Sequence, residues 1–204
     1  MCYMNRTTVL AYNVYSSSGF TTFSNQSSAD EMTGFIPFVS FPSQEEQIPV
    51  DQMETPKYSV FEVANWFLLK ESMTHKKLQK LCYYAQAWFY TLRDMRLMDT
   101  TFEAWVHGPV SPVLYDKFKA FGYHNIKLAG EYVSRIEEDD VELLESVWKT
   151  YGDHTGNALE ALSHSEQPWI EARVGYAPNE RCNIPISVAT MKKYYASIYS
   201  GGDA

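Results

Sequence analysis

The sequence predicts a mainly α fold: a compact helical domain of about five or six helices, with a short extended segment near residues 102–107 and an irregular N-terminal tail. Three observations carry this. Apolar residues recur at helical spacing in most segments after Ser59. Helix-start residues stand just ahead of those segments. Residues 1–52 show neither a helical nor a strand period.

In chain order, SVFEVANWFLLKE places Ser59 as an N-cap with Glu62 three residues on, the spacing of a capping box. Val60, Val63, Ala64, Phe67 and Leu68 then share one helical face. A second helix starts near Thr74, with Leu78, Leu81, Ala85, Trp88, Phe89 and Leu92 on one side of THKKLQKLCYYAQAWFYTL. FEAWVH, residues 102–107, is short, aromatic and β-branched at Val106, which predicts an extended segment. Ser111 and Pro112 predict the N-cap and first residue of a third helix that buries Leu114, Phe118 and Phe121 and stops at Gly122. After an irregular connection, Glu137, Glu138, Asp139 and Asp140 precede Val141, Leu144, Val147, Trp148 and Tyr151, with Gly152 past the end. Acids in a first helical turn favour its dipole. A helix over residues 156–163, the segment HSEQPWIEAR, and a last helix from Ser187 carrying Met191, Tyr194, Tyr195 and Ile198 complete the pattern.

The predicted organisation is a low-complexity, flexible N-terminal extension over 1–52 and a helical domain over 53–204, with Met53 an alternative start. The extension is rich in Ser, Thr, Asn and Pro, although Phe35, Phe38 and Phe41 are unusually apolar for such a segment.

The chain has 204 residues and a net charge of −8, which argues against a general nucleic-acid binder. Its three cysteines, Cys2, Cys82 and Cys182, form neither a zinc spacing nor a disulfide framework, and a reducing cytoplasm is expected. No apolar run approaches the roughly 20 residues of a membrane span. The histidines His75, His107, His124, His154 and His164 show no H-E-x-x-H or H-x-H spacing. Cys82 lies mid-helix as a small hydrophobe, and neither G-x-S-x-G nor a Gly-rich phosphate loop occurs. Lys76, Lys77 and Lys80 read as a solvated helix face, with a contact to a phosphate or an acidic partner as the alternative. His107 stands at a corner, before a glycine free to turn and a proline that restricts the backbone. There a hydrogen-bonding, structural role outweighs catalysis, with Trp105 and Tyr115 as packing anchors. An enzyme acting through His107 or His164 stays the alternative.

The ordered set VANWFL, KKLQKLCYYAQAW, EAWVHGPVSPVLY, VWKTYG, LSHSEQPW and IPISVATMKKYY resembles the Panacea domain, the SocA-like antitoxin family of phage-associated proteins. The resemblance spans residues 59–199. It implies a helical domain that neutralises a cognate protein toxin by direct contact in the cytoplasm, with no cofactor, metal or reaction. A proteolytic adaptor working with a cytoplasmic protease or unfoldase is the second reading it allows; a membrane partner is not implied. The motif positions it marks, as partner surface or as structure, are Lys80, Tyr84, Gln86, Trp88, Trp105, His107, Gly108, Pro109, Tyr115, His164, Pro168 and Trp169. Residues 1–52 have no counterpart in that pattern.

Overall fold

The computed structural model describes residues 55–128 and 133–199, so the expectations placed on residues 1–52 fall outside it. The described residues are mainly helical, and they contain seven α-helices rather than five or six. The additional break lies within the HSEQPW stretch, where Ser165 and Glu166 separate two short helices.

Helix α1 (Val60–Lys70) opens on the predicted capping box. The Ser59 hydroxyl accepts from the Glu62 amide at 3.2 Å, and the Ser59 amide donates to the Glu62 carboxylate at 2.9 Å. Two orphan amides of the helix end are satisfied reciprocally. Strand β1 (Met73–Thr74) leads into α2 (His75–Arg93), which Thr74 caps through its hydroxyl.

Helix α2 is the centre of the described helical domain. The expected one-sided apolar face is only part of it, because every residue from Leu78 to Tyr90 is buried. Helices α1, α4, α5 and α7 and a hairpin all pack against it. A helix enclosed on every side must satisfy its polar side chains internally. That requirement shapes the rest of the fold. The helix ends at Asp94 in the left-handed region (φ 54°), a conformation that a short polar side chain tolerates.

The extended segment pairs with its successor. Strands β2 (Glu103–Trp105) and β3 (Gly108–Val110) form an antiparallel hairpin in the register Glu103 with Val110, Ala104 with Pro109 and Trp105 with Gly108. Residues 184–186 line the other side of β2: the Ala104 amide donates to Ile184 O at 2.9 Å, and the Ile186 amide to Phe102 O at 2.8 Å. Exposed Pro185 lies between those two bonds and cannot donate, which blunts the outer edge of the ribbon.

Helix α3 (Pro112–Phe118) starts as predicted, with the Ser111 hydroxyl accepting from the Leu114 amide. Leu114 and Phe118 are buried, but Phe121 is exposed. The backbone tightens into a 3₁₀ turn at Lys119–Phe121, which rotates Phe121 off the buried face. Within the connection that follows, β4 (Asn125–Ile126) pairs with β1.

Helix α4 (Glu138–Tyr151) carries three acids in its first turn, yet Asp140 is not a solvated dipole partner. It is buried, bonded to Lys57 at 2.6 Å, and accepts from the Tyr58 hydroxyl at 2.8 Å. Helices α5 (Gly156–His164) and α6 (Gln167–Ala172) run into an arch over residues 174–184 that is mostly exposed but sends Cys182 into the core, and α7 (Val188–Ile198) returns to α2 with Met191 and Tyr195 buried. No described helix is long and apolar enough to cross a membrane.

Candidate functional site

Lys76, Lys80, Tyr84 and Trp88 recur every fourth residue and therefore form one stripe along α2. Each is held by a different element. Lys76 pairs with Glu160 of α5 and reaches Asn157. Lys80 passes beneath the hairpin and donates to Pro109 O at 3.0 Å. Tyr84 reaches the Glu166 carboxylate at 3.4 Å, and the Trp88 indole donates to the Tyr151 hydroxyl at 3.0 Å. The expected lysine face is thus not one surface. Lys77 turns to Glu71 and the Trp148 ring, whereas Lys80 is 1% exposed.

A second stripe holds Gln79 and Gln86. Gln79 grips the backbone of Ser111 at both ends, accepting from its amide at 2.8 Å and donating to its carbonyl at 3.1 Å. Gln86 accepts from the Met98 amide at 2.9 Å; its Nε2 has no hydrogen-bond partner among the described residues. These side chains substitute for the missing backbone partners of the loop and the hairpin.

The corner formed by residues 103–112 is consequently locked from below. Gly108 has φ +90°, and a Cβ there would lie 2.7 Å from Lys80 Cε and 2.8 Å from Ser163 Oγ. Pro109 and Ser111 are buried. His107 reaches across to α5: its Nδ1 lies 2.9 Å from the Glu160 carboxylate, and its side chain is 72% exposed. Burial disfavours ionised Glu160, but hydrogen bonds from Lys76 and His107 outweigh it and hold the carboxyl below its usual range.

Aromatic rings surround this corner. Trp105 meets Tyr115 edge-on at 5.0 Å, and Tyr115 meets His75 at 5.8 Å. Trp169 donates to Trp105 O at 3.0 Å and stacks on His164 at 3.9 Å. Arg173 lies over the Trp169 ring, donates to Ala104 O at 2.8 Å, and forks to Ala177 O, Pro178 O and Glu180 O. Burial pushes the His75 and His164 imidazoles below their usual range, and the nearby Lys80 adds to it in both. Trp105, Tyr115, His164 and Trp169 are half-buried and His107 is exposed; Lys80, Tyr84, Gln86, Trp88, Gly108, Pro109 and Pro168 are interior.

Sequence reasoning passed over three interior polar residues. Glu166, wholly buried, accepts from the Tyr195 hydroxyl at 2.7 Å and from Tyr84, so it ties α2 and α7 to the α5–α6 junction. Gln79 and Arg173 hold backbone. Gln79 stands among Lys76, Lys77 and Lys80 and gave no local signal. Glu166 and Arg173 sit in a polar stretch and gave none.

Chemically, the arrangement presents a rigid, amphipathic corner. Among the described residues no group of three or more His, Cys, Asp or Glu converges as a metal site, and burial raises the Cys82 thiol far above its reactive range.

Comparison with known proteins gives a consistent picture. Residues 78–170 match the family described as "Antitoxin SocA-like, Panacea domain". The curated protein Antitoxin SocA of Caulobacter vibrioides (strain NA1000 / CB15N) is 36% identical over 124 residues, covering 52% of this chain and 66% of that protein. The chain therefore spans slightly under two thirds of that relative's length. No solved structure matches.

Proposed function

Since residues 78–170 of this chain belong to the SocA-like Panacea family, we propose that the protein is an antitoxin that neutralises a cognate protein toxin by direct binding. The observation that carries the reading is the corner around His107. An exposed imidazole is flanked by half-buried Trp105, Tyr115 and Trp169 and by the Lys76–Glu160 pair, all on a backbone fixed from beneath. Aromatic and charged anchors on a rigid base suit a protein interface, because little entropy is lost when they dock.

The test is co-expression with the product of a neighbouring gene that is toxic alone. Rescue of growth and co-purification of a complex are expected. His107→Asp and Trp169→Ala, each checked for an intact fold, should weaken toxin binding by about 10- to 100-fold, the range of interface anchors. Full affinity in both variants moves the contact elsewhere on the molecule. Absence of any toxic partner overturns the antitoxin reading.

A further inference from the structure

We propose that Lys80 is a proton-coupled latch on the 105–110 hairpin, so that opening of this corner requires uptake of a proton by the lysine amine. The inference stands on geometry and goes beyond the proposed toxin contact, whether or not that face binds a toxin.

The Lys80 side chain is 1% exposed, and its amine finds one acceptor among the described residues, Pro109 O at 3.0 Å. A neutral amine is adequately served by one acceptor and packed methylenes, whereas an ammonium seeks three. The roof over it is the Gly108–Pro109 backbone, close enough that a Cβ on Gly108 would collide with Lys80 Cε. The hairpin cannot lift without exposing the amine to water, and the amine cannot gain water while the hairpin is down. The charged and titratable groups facing it pull in opposite directions, and Glu160, which favours the ammonium, outweighs Lys76, which favours the neutral amine. Lys76 and His75 approach from α2 itself and His164 from α5; Glu160 of α5 opposes them, its carboxylate engaged by Lys76 and His107. Burial, the largest effect, brings the amine down to about 7.

The direction of the coupling follows. Between about pH 7 and the ordinary amine range near 10.5, the opened corner binds a proton that the closed corner lacks. Opening is therefore easiest near neutrality and is suppressed about tenfold for each pH unit above it, levelling off below 7. His75 and His164 add a separate acid-side dependence below their ordinary value of 6.5, which the chosen window avoids.

The experiment is amide hydrogen exchange of the whole chain from pH 7 to 10, corrected for the intrinsic rate and read at residues 104–110. Protection should rise about tenfold per pH unit in the wild type and be flat in Lys80→Met. A flat wild-type profile overturns the proposal, as does a slope that survives in Lys80→Met. If Lys80→Met does not fold, ¹⁵N spectroscopy of the Lys80 amine in the wild type decides: a neutral amine at pH 8.5 supports the latch, and an ammonium there overturns it.

Discussion

At Gly108 two demands coincide that a side chain cannot meet together. The backbone stands at φ +90°, and the space where Cβ would go is filled by Lys80 and Ser163. Local strain and overpacking each cost about 1–3 kcal/mol. Gly108→Ala is therefore expected to destabilise the protein by about 3 kcal/mol or more in urea titrations. Gly122 makes a useful control, since it too has positive φ (+53°) but nothing within 4 Å of its would-be Cβ. Gly122→Ala should show the strain cost alone. Equal losses at both positions would remove the packing argument at Gly108. The same residue scale explains Glu166. Its carboxylate accepts from the Tyr195 hydroxyl at 2.7 Å and lies 3.4 Å from the Tyr84 hydroxyl. Burial and this carboxylate together push the Tyr195 and Tyr83 hydroxyls well above their ordinary range.

Among elements, α3 shows how a short helix depends on its first residue. Ser111 caps it, bonds Thr100 through its hydroxyl at 2.7 Å, and offers its backbone to Gln79. Ser111→Ala should lower stability by about 1–2 kcal/mol, the usual worth of a cap, and Ser111→Thr should recover part of it. No loss in the alanine variant would show that Gln79 alone fixes the helix start. Most helix boundaries were legible in the sequence because caps act locally: Ser59, Thr74, Ser111 and Ser187 all cap where their neighbours predict. Burial was less legible. The helical period of α2 marks its apolar face, but Gln79, Lys80 and Gln86 look solvated in sequence and are interior in the fold. What rescues them are partners 12 to 32 residues away in the chain, and no local pattern records those. The candidate site divides likewise. The corner at His107 stood out by its Gly-Pro pair, whereas the partnership of His107 with Glu160 spans 53 positions and is a property of the folded chain.

On the scale of the whole molecule, the buried ionisable groups set a characteristic pH dependence. His75 and His164 resist protonation when folded, so stability falls as pH drops below 6.5 and the unfolded chain takes up those protons. Lys80 is mostly neutral above about 7 in the folded chain but charged up to about 10.5 when unfolded, so stability rises across that window. Above about pH 9 the unfolded chain ionises the Cys82 thiol, and above 10 the hydroxyls of Tyr83, Tyr151 and Tyr195, all of which burial keeps protonated in the folded chain, so stability falls again. The urea midpoint at fixed salt should therefore peak near about pH 9, more alkaline than the usual range of about 5–8. A maximum at pH 5–7 would contradict the set of assignments.

The enclosure of α2 also governs the order in which the chain can be completed during synthesis. Tyr83, Tyr84 and Trp88 emerge from the ribosome long before Tyr195, whose ring and hydroxyl cover them, and before Glu166, which anchors that hydroxyl. Until residues 188–198 are made, the most aromatic part of the molecule has no lid. The nascent domain is thus an open cup with a sticky lining, closed by its last helix, and a ribosome stalled before Ser187 would leave that lining available to chaperones and proteases.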